Sequence, residues 1–167
     1  MREVAQHLRD VVRIAVSRLE QLTPQQVRAN PYPPKWSKIK VLGHLIDSAC
    51  DNQQKFVRVM EQPERGNLLF PGYAQNHWVD AQGYQTADWS HLIKLFELYN
   101  LHLANVIEQA NPKLLHNTIT IEGPKGPAGP FTLEFIMRDY IEHMKHHLLQ
   151  IDPQMPIKSG FENVYGA

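Results

Sequence analysis

Apolar residues recur at three- and four-residue intervals in four stretches of the chain, and each stretch ends where a helix would be stopped. In the first, Val4, Leu8, Val11, Val12, Ala15 and Leu19 line one face, which predicts a helix from about residue 3 to 22, ending before Thr23-Pro24. The run Asn30-Pro31-Tyr32-Pro33-Pro34 removes backbone donors and disfavours helix before each proline, so it reads as an extended connector. Ser37 is placed to cap a second helix reaching about residue 61, whose stripe is Val41, Leu42, Leu45, Ala49, Phe56 and Met60. Asp88 is placed to cap a third, with Leu92, Leu95, Phe96, Tyr99, Leu103, Val106 and Ile107 inward and Asn111-Pro112 as its stop. Thr132 is placed to cap a fourth, from about 131 to 151, burying Leu133, Ile136, Met137, Tyr140, Met144, Leu148 and Ile151 before Asp152-Pro153.

The stretches between are less regular. Residues 62–87 show neither the helical nor the strand period and carry proline, glycine and several large aromatic rings. A structureless segment of that length inside a compact domain serves function or packs over a site, which makes it a candidate lid. Thr118-Ile119-Thr120-Ile121 alternates like one short strand, Gly123 to Pro130 reads as a turn-rich loop, and the tail from 153 to 167 has no period and reads as coil. Four amphipathic helices and a lone strand candidate predict an all-α chain. The expected fold is a four-helix bundle, with a long insert between the second and third helices and a coil tail, as a single domain over residues 1–167.

Composition narrows the setting. At 167 residues the chain can bury a sizeable core without a disulfide or structural metal. Lysine plus arginine equals aspartate plus glutamate at 17 each, and no basic run gathers on one segment, which argues against nucleic acid as a partner. The one cysteine, Cys50, lies in an apolar stretch and reads as a small buried hydrophobe. With no continuous apolar segment of membrane-spanning length, no signal-peptide pattern and no disulfide pair, the expectation is a cytoplasmic protein without a membrane partner.

The candidate chemistry lies in the nine histidines. His143 and His147 stand four apart on the fourth helix and project from consecutive turns, close enough for both rings to share an ion. Turning each residue by about 100° points this pair inward and sends His146 outward beside Asp139 and Glu142. Two imidazoles stacked in a dry core need partners, which a metal supplies and which tyrosines or carbonyls could also supply. His44 sits at the margin of the second helix's apolar stripe. Periodicity favours a boundary histidine there over a ligand, and Asp47 and Asp51 read either as groups orienting a ligand or as solvated faces. His7, His91, His102 and His116 show no partner pattern, and His77, beside Trp78, reads as a loop residue. Neither HExxH, a cysteine pair, a repeated Glu-x-x-His, a GxSxG elbow nor a GK[ST] phosphate loop occurs.

The motifs Trp36-Ser37, Gly43-His44-Leu45-Ile46-Asp47 and Glu142-His143-Met144-Lys145-His146-His147-Leu148-Leu149-Gln150-Ile151 resemble those of the DinB-like/YfiT-like superfamily of metal-dependent enzymes, in the order found there across residues 1–151. The resemblance implies a four-helix bundle in which His44, His143 and His147 hold a divalent metal ion, zinc or nickel first, and His146 does not. Three ligands with an open position suit a catalytic site. Relatives include transferases and isomerases that use a low-molecular-weight thiol, so a thiol transferase or a hydrolase acting on a small molecule is expected, with its catalytic residues unassigned. Arg58, Arg65 and Arg138 are candidates for substrate binding by charge alone, and Phe70, Tyr73, Trp78 and Tyr84 either wall the site or pack the bundle. The alternative from another class is a non-enzymatic metal-binding or ligand-sensing bundle that acts as a homodimer through an exposed helix face.

Overall fold

The computed structural model describes residues 1–30, 32–123 and 125–164. These form six α-helices, two 3-10 turns (Tyr84–Thr86 and Pro112–Leu114) and three strands: α1 Arg2–Leu19, α2 Pro24–Arg28, α3 Lys38–Met60, β1 Asn67–Pro71, α4 Gln75–Ala81, α5 Trp89–Glu108, β2 Thr118–Glu122, β3 Ala128–Thr132 and α6 Leu133–Ile151.

The four periodic stretches are the four long helices. α1 packs on α5, and α3 lies against both α5 and α6. Their apolar stripes meet in one core, where Leu8, Leu19, Ile39, Leu42, Phe56, Phe96, Leu103, Ile107, Leu133 and Ile136 are wholly buried. Asp88 and Thr132 cap as their positions suggested, accepting the backbone N–H of His91 at 2.9 Å and of Phe135 at 3.1 Å. Ser37 does stand at the N-cap of α3, but its hydroxyl donates instead to Gln85 Oε1 at 2.6 Å.

The chain departs from an all-α bundle in three places. Thr23-Pro24 ends α1 as expected and then starts α2. Thr23 accepts from Gln26 N while the Gln26 side chain accepts from Thr23 N, a reciprocal cap that five residues alone could not advertise by periodicity. Residues 62–87 are not structureless, since they hold β1, α4 and a 3-10 turn. β1 runs parallel to β2 with Asn67 opposite Thr118 and Phe70 opposite Ile121, a pairing some fifty residues apart that leaves no local trace. The supposed loop ending at Pro130 contains the start of β3, antiparallel to β2 with a bulge between Ile119 and Ile121. Proline is tolerated there because β3 is an edge strand. Gly129, at φ 110°, takes a conformation other residues resist, and a Cβ on it would meet Ile119 O at 2.8 Å.

One buried side chain fastens this sheet to the bundle. Asn117 donates from Nδ2 to the carbonyls of Val59 and Gln62, both at 3.2 Å, and accepts from Arg65 N at 2.7 Å. It thereby satisfies the C-terminal carbonyls of α3 and the strand entry together. The tail is coil but packed. Met155 is buried, Ser159 Oγ donates to the Glu142 carbonyl at 2.9 Å, and Gly160 N donates to Glu142 Oε2 at 2.7 Å. The last three residues of the tail, 165–167, lie outside the described residues. Among the described residues no helix is long and apolar enough to cross a membrane.

Candidate metal centre

α3 is buried on every side from Val41 to Ala49, because the bundle covers one face and the segment 75–87 covers the other. That explains why apolar periodicity placed His44 at a margin: the bundle supplies only half of its burial, and the side chain is 0 % exposed. Gly43 is what allows the outer cover to approach. The Tyr84 ring lies so close that a Cβ at residue 43 would stand 2.2 Å from its Cδ2.

His143 and His147 rise from consecutive turns of α6 to meet His44. Ring centroids are 4.6 Å apart for His44 and His147, 5.4 Å for His44 and His143, and 4.5 Å for His143 and His147. One nitrogen from each ring falls within 4.8 Å of the other two, so a single ion could be held by all three. Trp36 flanks His44 at 5.1 Å and Phe161 from the tail flanks His143 at 5.1 Å. Burial, aided by the nearby charge of His147, pushes His44 down to about 3, and burial pushes His147 down to about 4. Burial and the neighbouring histidines hold His143 well below its ordinary value. All three are therefore neutral at pH 7, the form that binds a metal.

A hydrogen bond from Gln150 orients the His147 ring. Gln150 Nε2 donates to His146 Nε2 at 3.0 Å, so Gln150 Oε1 accepts from His147 Nδ1–H, also at 3.0 Å. His143 Nδ1 makes a long 3.5 Å contact with Ser48 Oγ. The Nε2 atoms of His143 and His147 face one another at 3.1 Å, a spacing that suits a shared proton or a shared cation. Ligand nitrogens on one tetrahedral zinc would be about 3.3 Å apart given zinc–nitrogen bonds of about 2.0–2.1 Å, so the donor set fits such an ion. His44 adds to this, since both of its ring nitrogens are buried without a hydrogen-bond partner among the described residues.

The other candidates are placed elsewhere. His146 is exposed, as are His7, His77, His91, His102 and His116. Arg58 and Arg65 are exposed, and Arg138 is spent on Glu3 and Glu134 at 2.9 Å each. Asp51 pairs with Lys55 at 2.6 Å. Asp47 accepts from Tyr84 OH at 2.7 Å and from Gln82 Nε2. Tyr84 is thus both packing and polar anchor, while Tyr73 stacks at 4.9 Å on Trp78. Cys50 is half-buried and unpaired. Sequence reasoning passed over Ser48 as a contact of His143, and also Gln82, Trp36 and Phe161. Gln150, three residues from His147 on the same helix, could have been found by spacing.

The sequence profile of the DinB superfamily matches residues 7–151. The chain belongs to the DinB superfamily. Among solved structures this DinB-superfamily chain is similar to YfiT from Bacillus subtilis, which is described as "a probable metal-dependent hydrolase with an unusual four-helix bundle topology". The two share 20% identity at a TM-score of 0.75, over 90% of this chain and 83% of that one. At that identity the likeness shows the fold: a four-helix bundle, here with the three-stranded sheet attached. Among curated proteins none matches the chain.

Proposed function

We propose that this DinB-superfamily chain is a metal-dependent enzyme acting on a small molecule, with His44, His143 and His147 holding one divalent ion, zinc or nickel first. The observation that carries the reading is the pair of Nε2 atoms facing each other at 3.1 Å, with a third neutral imidazole beside them. A divalent ion bound there lowers the pKa of a water or thiol in its free position and so presents a nucleophile at neutral pH. The chain's own residues do the rest. Gln150 holds His147 by its Nδ1–H, Ser48 stands at His143, and the neutral, buried rings keep bulk water from competing for the ligand nitrogens.

Hydrolysis and transfer of a low-molecular-weight thiol to an electrophile both use such a nucleophile, and the description of YfiT supports hydrolysis first. Metal analysis of protein purified without a polyhistidine tag tests the site: about one ion per chain is expected. His143→Ala should lose it, and His146→Ala should keep it. Stoichiometric metal in a variant with all three histidines replaced by alanine would refute the ligand assignment. Turnover is then assayed on panels of esters and amides, and on small thiols with an electrophilic acceptor. Activity equal to that of the triple variant on both panels would refute the enzymatic reading.

A further inference from the structure

Two buried polar groups one helical turn apart on α3 lack partners among the described residues. One is the His44 ring, of which one nitrogen lies near those of the other imidazoles and the second has no hydrogen-bond partner; the other is Asp47 Oδ2. Asp47 is 2 % exposed. Its Oδ1 is fully used, since Tyr84 OH donates to it at 2.7 Å and Gln82 Nε2 donates as well. This bond set is itself constructed: Tyr84 reaches Asp47 because Gly43 has no side chain in its way. The carboxylate is therefore held in place from the insert side, with one oxygen spare.

We infer that Asp47 is the positioning residue for His44: its Oδ2 takes the outer ring N–H of that histidine through one bridging water, and so turns the other nitrogen toward His143 and His147. Positions i and i+3 of a helix bring Cβ atoms within about 5–6 Å, a gap that a carboxylate and an imidazole can span with one water between them. The bridge would satisfy both orphaned groups at once, and burying them unsatisfied is unfavourable. It would also complete a pattern. Gln150 serves His147 and Ser48 stands at His143, whereas His44 is the one ring whose outer nitrogen is otherwise unserved. A carboxylate behind a ligating histidine fixes its tautomer and strengthens it as a ligand. The inference rests on the metal reading above and adds to it a carboxylate that acts behind a ligand.

The test is zinc affinity by competition with a chromophoric chelator, together with imidazole N–H resonances of the zinc-loaded protein in water, for wild type, Asp47→Ala, Asp47→Asn and Tyr84→Phe. Asp47→Ala should bind zinc about 10- to 100-fold more weakly and lose the slowly exchanging N–H resonance of His44. Asp47→Asn, which keeps an acceptor oxygen, should restore part of the affinity and move that resonance without abolishing it. Tyr84→Phe loosens the insert but leaves the acceptor, so it should retain the resonance. Wild-type affinity and an unchanged resonance in Asp47→Ala would overturn the inference while leaving the metal site standing. Failure of the wild type to bind zinc or nickel would overturn both.

Discussion

Gly43→Ala should destabilise the metal-free protein, although alanine is the better helix former. At an exposed helical position the change would gain about 1 kcal/mol. Here the new methyl would stand 2.2, 2.3 and 2.6 Å from three atoms of the Tyr84 ring, so the ring must leave. Overpacking of a tight site costs about 1–3 kcal/mol, and separating the Tyr84 hydroxyl from the buried Asp47 carboxylate costs a further ~1.5–3 kcal/mol. The net is a loss of about 1.5–5 kcal/mol, which for a chain of this size lowers the thermal midpoint by about 2–4 °C per kcal/mol. Urea denaturation of Gly43→Ala, Tyr84→Ala and the double variant reads the effect as a double-mutant cycle. With the ring gone there is nothing left to collide with. In the Tyr84→Ala background, therefore, Gly43→Ala should become neutral or stabilising. Simple additivity of the two losses, or a midpoint for Gly43→Ala at or above that of the wild type, would refute the packing argument.

Three further outcomes follow from the same structure. Asn117→Ala removes a buried amide serving three backbone groups, and should cost about 2–4 kcal/mol in denaturant unfolding without altering metal stoichiometry. Thr132→Ala should cost about 1 kcal/mol by loss of the α6 cap, read by thermal unfolding. The metal-free protein should lose stability as pH falls from about 6.5 toward 5. His44 and His147 are pushed down to about 3 and about 4 when folded, and His143 well below its ordinary value, so the unfolded chain takes up protons that the folded chain refuses. Each such histidine contributes a slope of up to about 1.4 kcal/mol per pH unit in that window. Unfolding free energies that stay flat from pH 6.5 to 5, or that fall as steeply in the triple alanine variant, would contradict this.

The four long helices were legible because each buries one stripe against the others, which writes a 3.6-residue period into the sequence. What escaped was structure held by distant partners. β1 contributes one buried residue, Phe70, and its pairing with β2 is set by residues some fifty positions away. β3 opens with Ala128-Gly129-Pro130, of which the last two argue against a strand unless its edge position is already known. The segment 62–87 looked structureless for the same reason: Val79 and Tyr84 are buried against α3 rather than against each other.

The site divided along the same line. Helical spacing alone put His143 and His147 together and His146 outside, and the structure places them so. His44 was undervalued because periodicity measures burial against one partner surface, whereas this histidine is enclosed between two. The family resemblance grouped it with His143 and His147 where the physical pattern did not, and the structure brings the three rings together. The same two-sided enclosure is what gives the site its chemistry. A histidine at the edge of a bundle would be solvated and would titrate near its ordinary value, but His44, wholly buried and flanked by Trp36, is held far below it by burial. The irregular insert, the part of the chain least readable from pattern, thus packs on α3 over the turn that carries this candidate ligand. It follows that substitutions in residues 75–87 should act on the metal centre through His44, although none of those residues is itself a ligand.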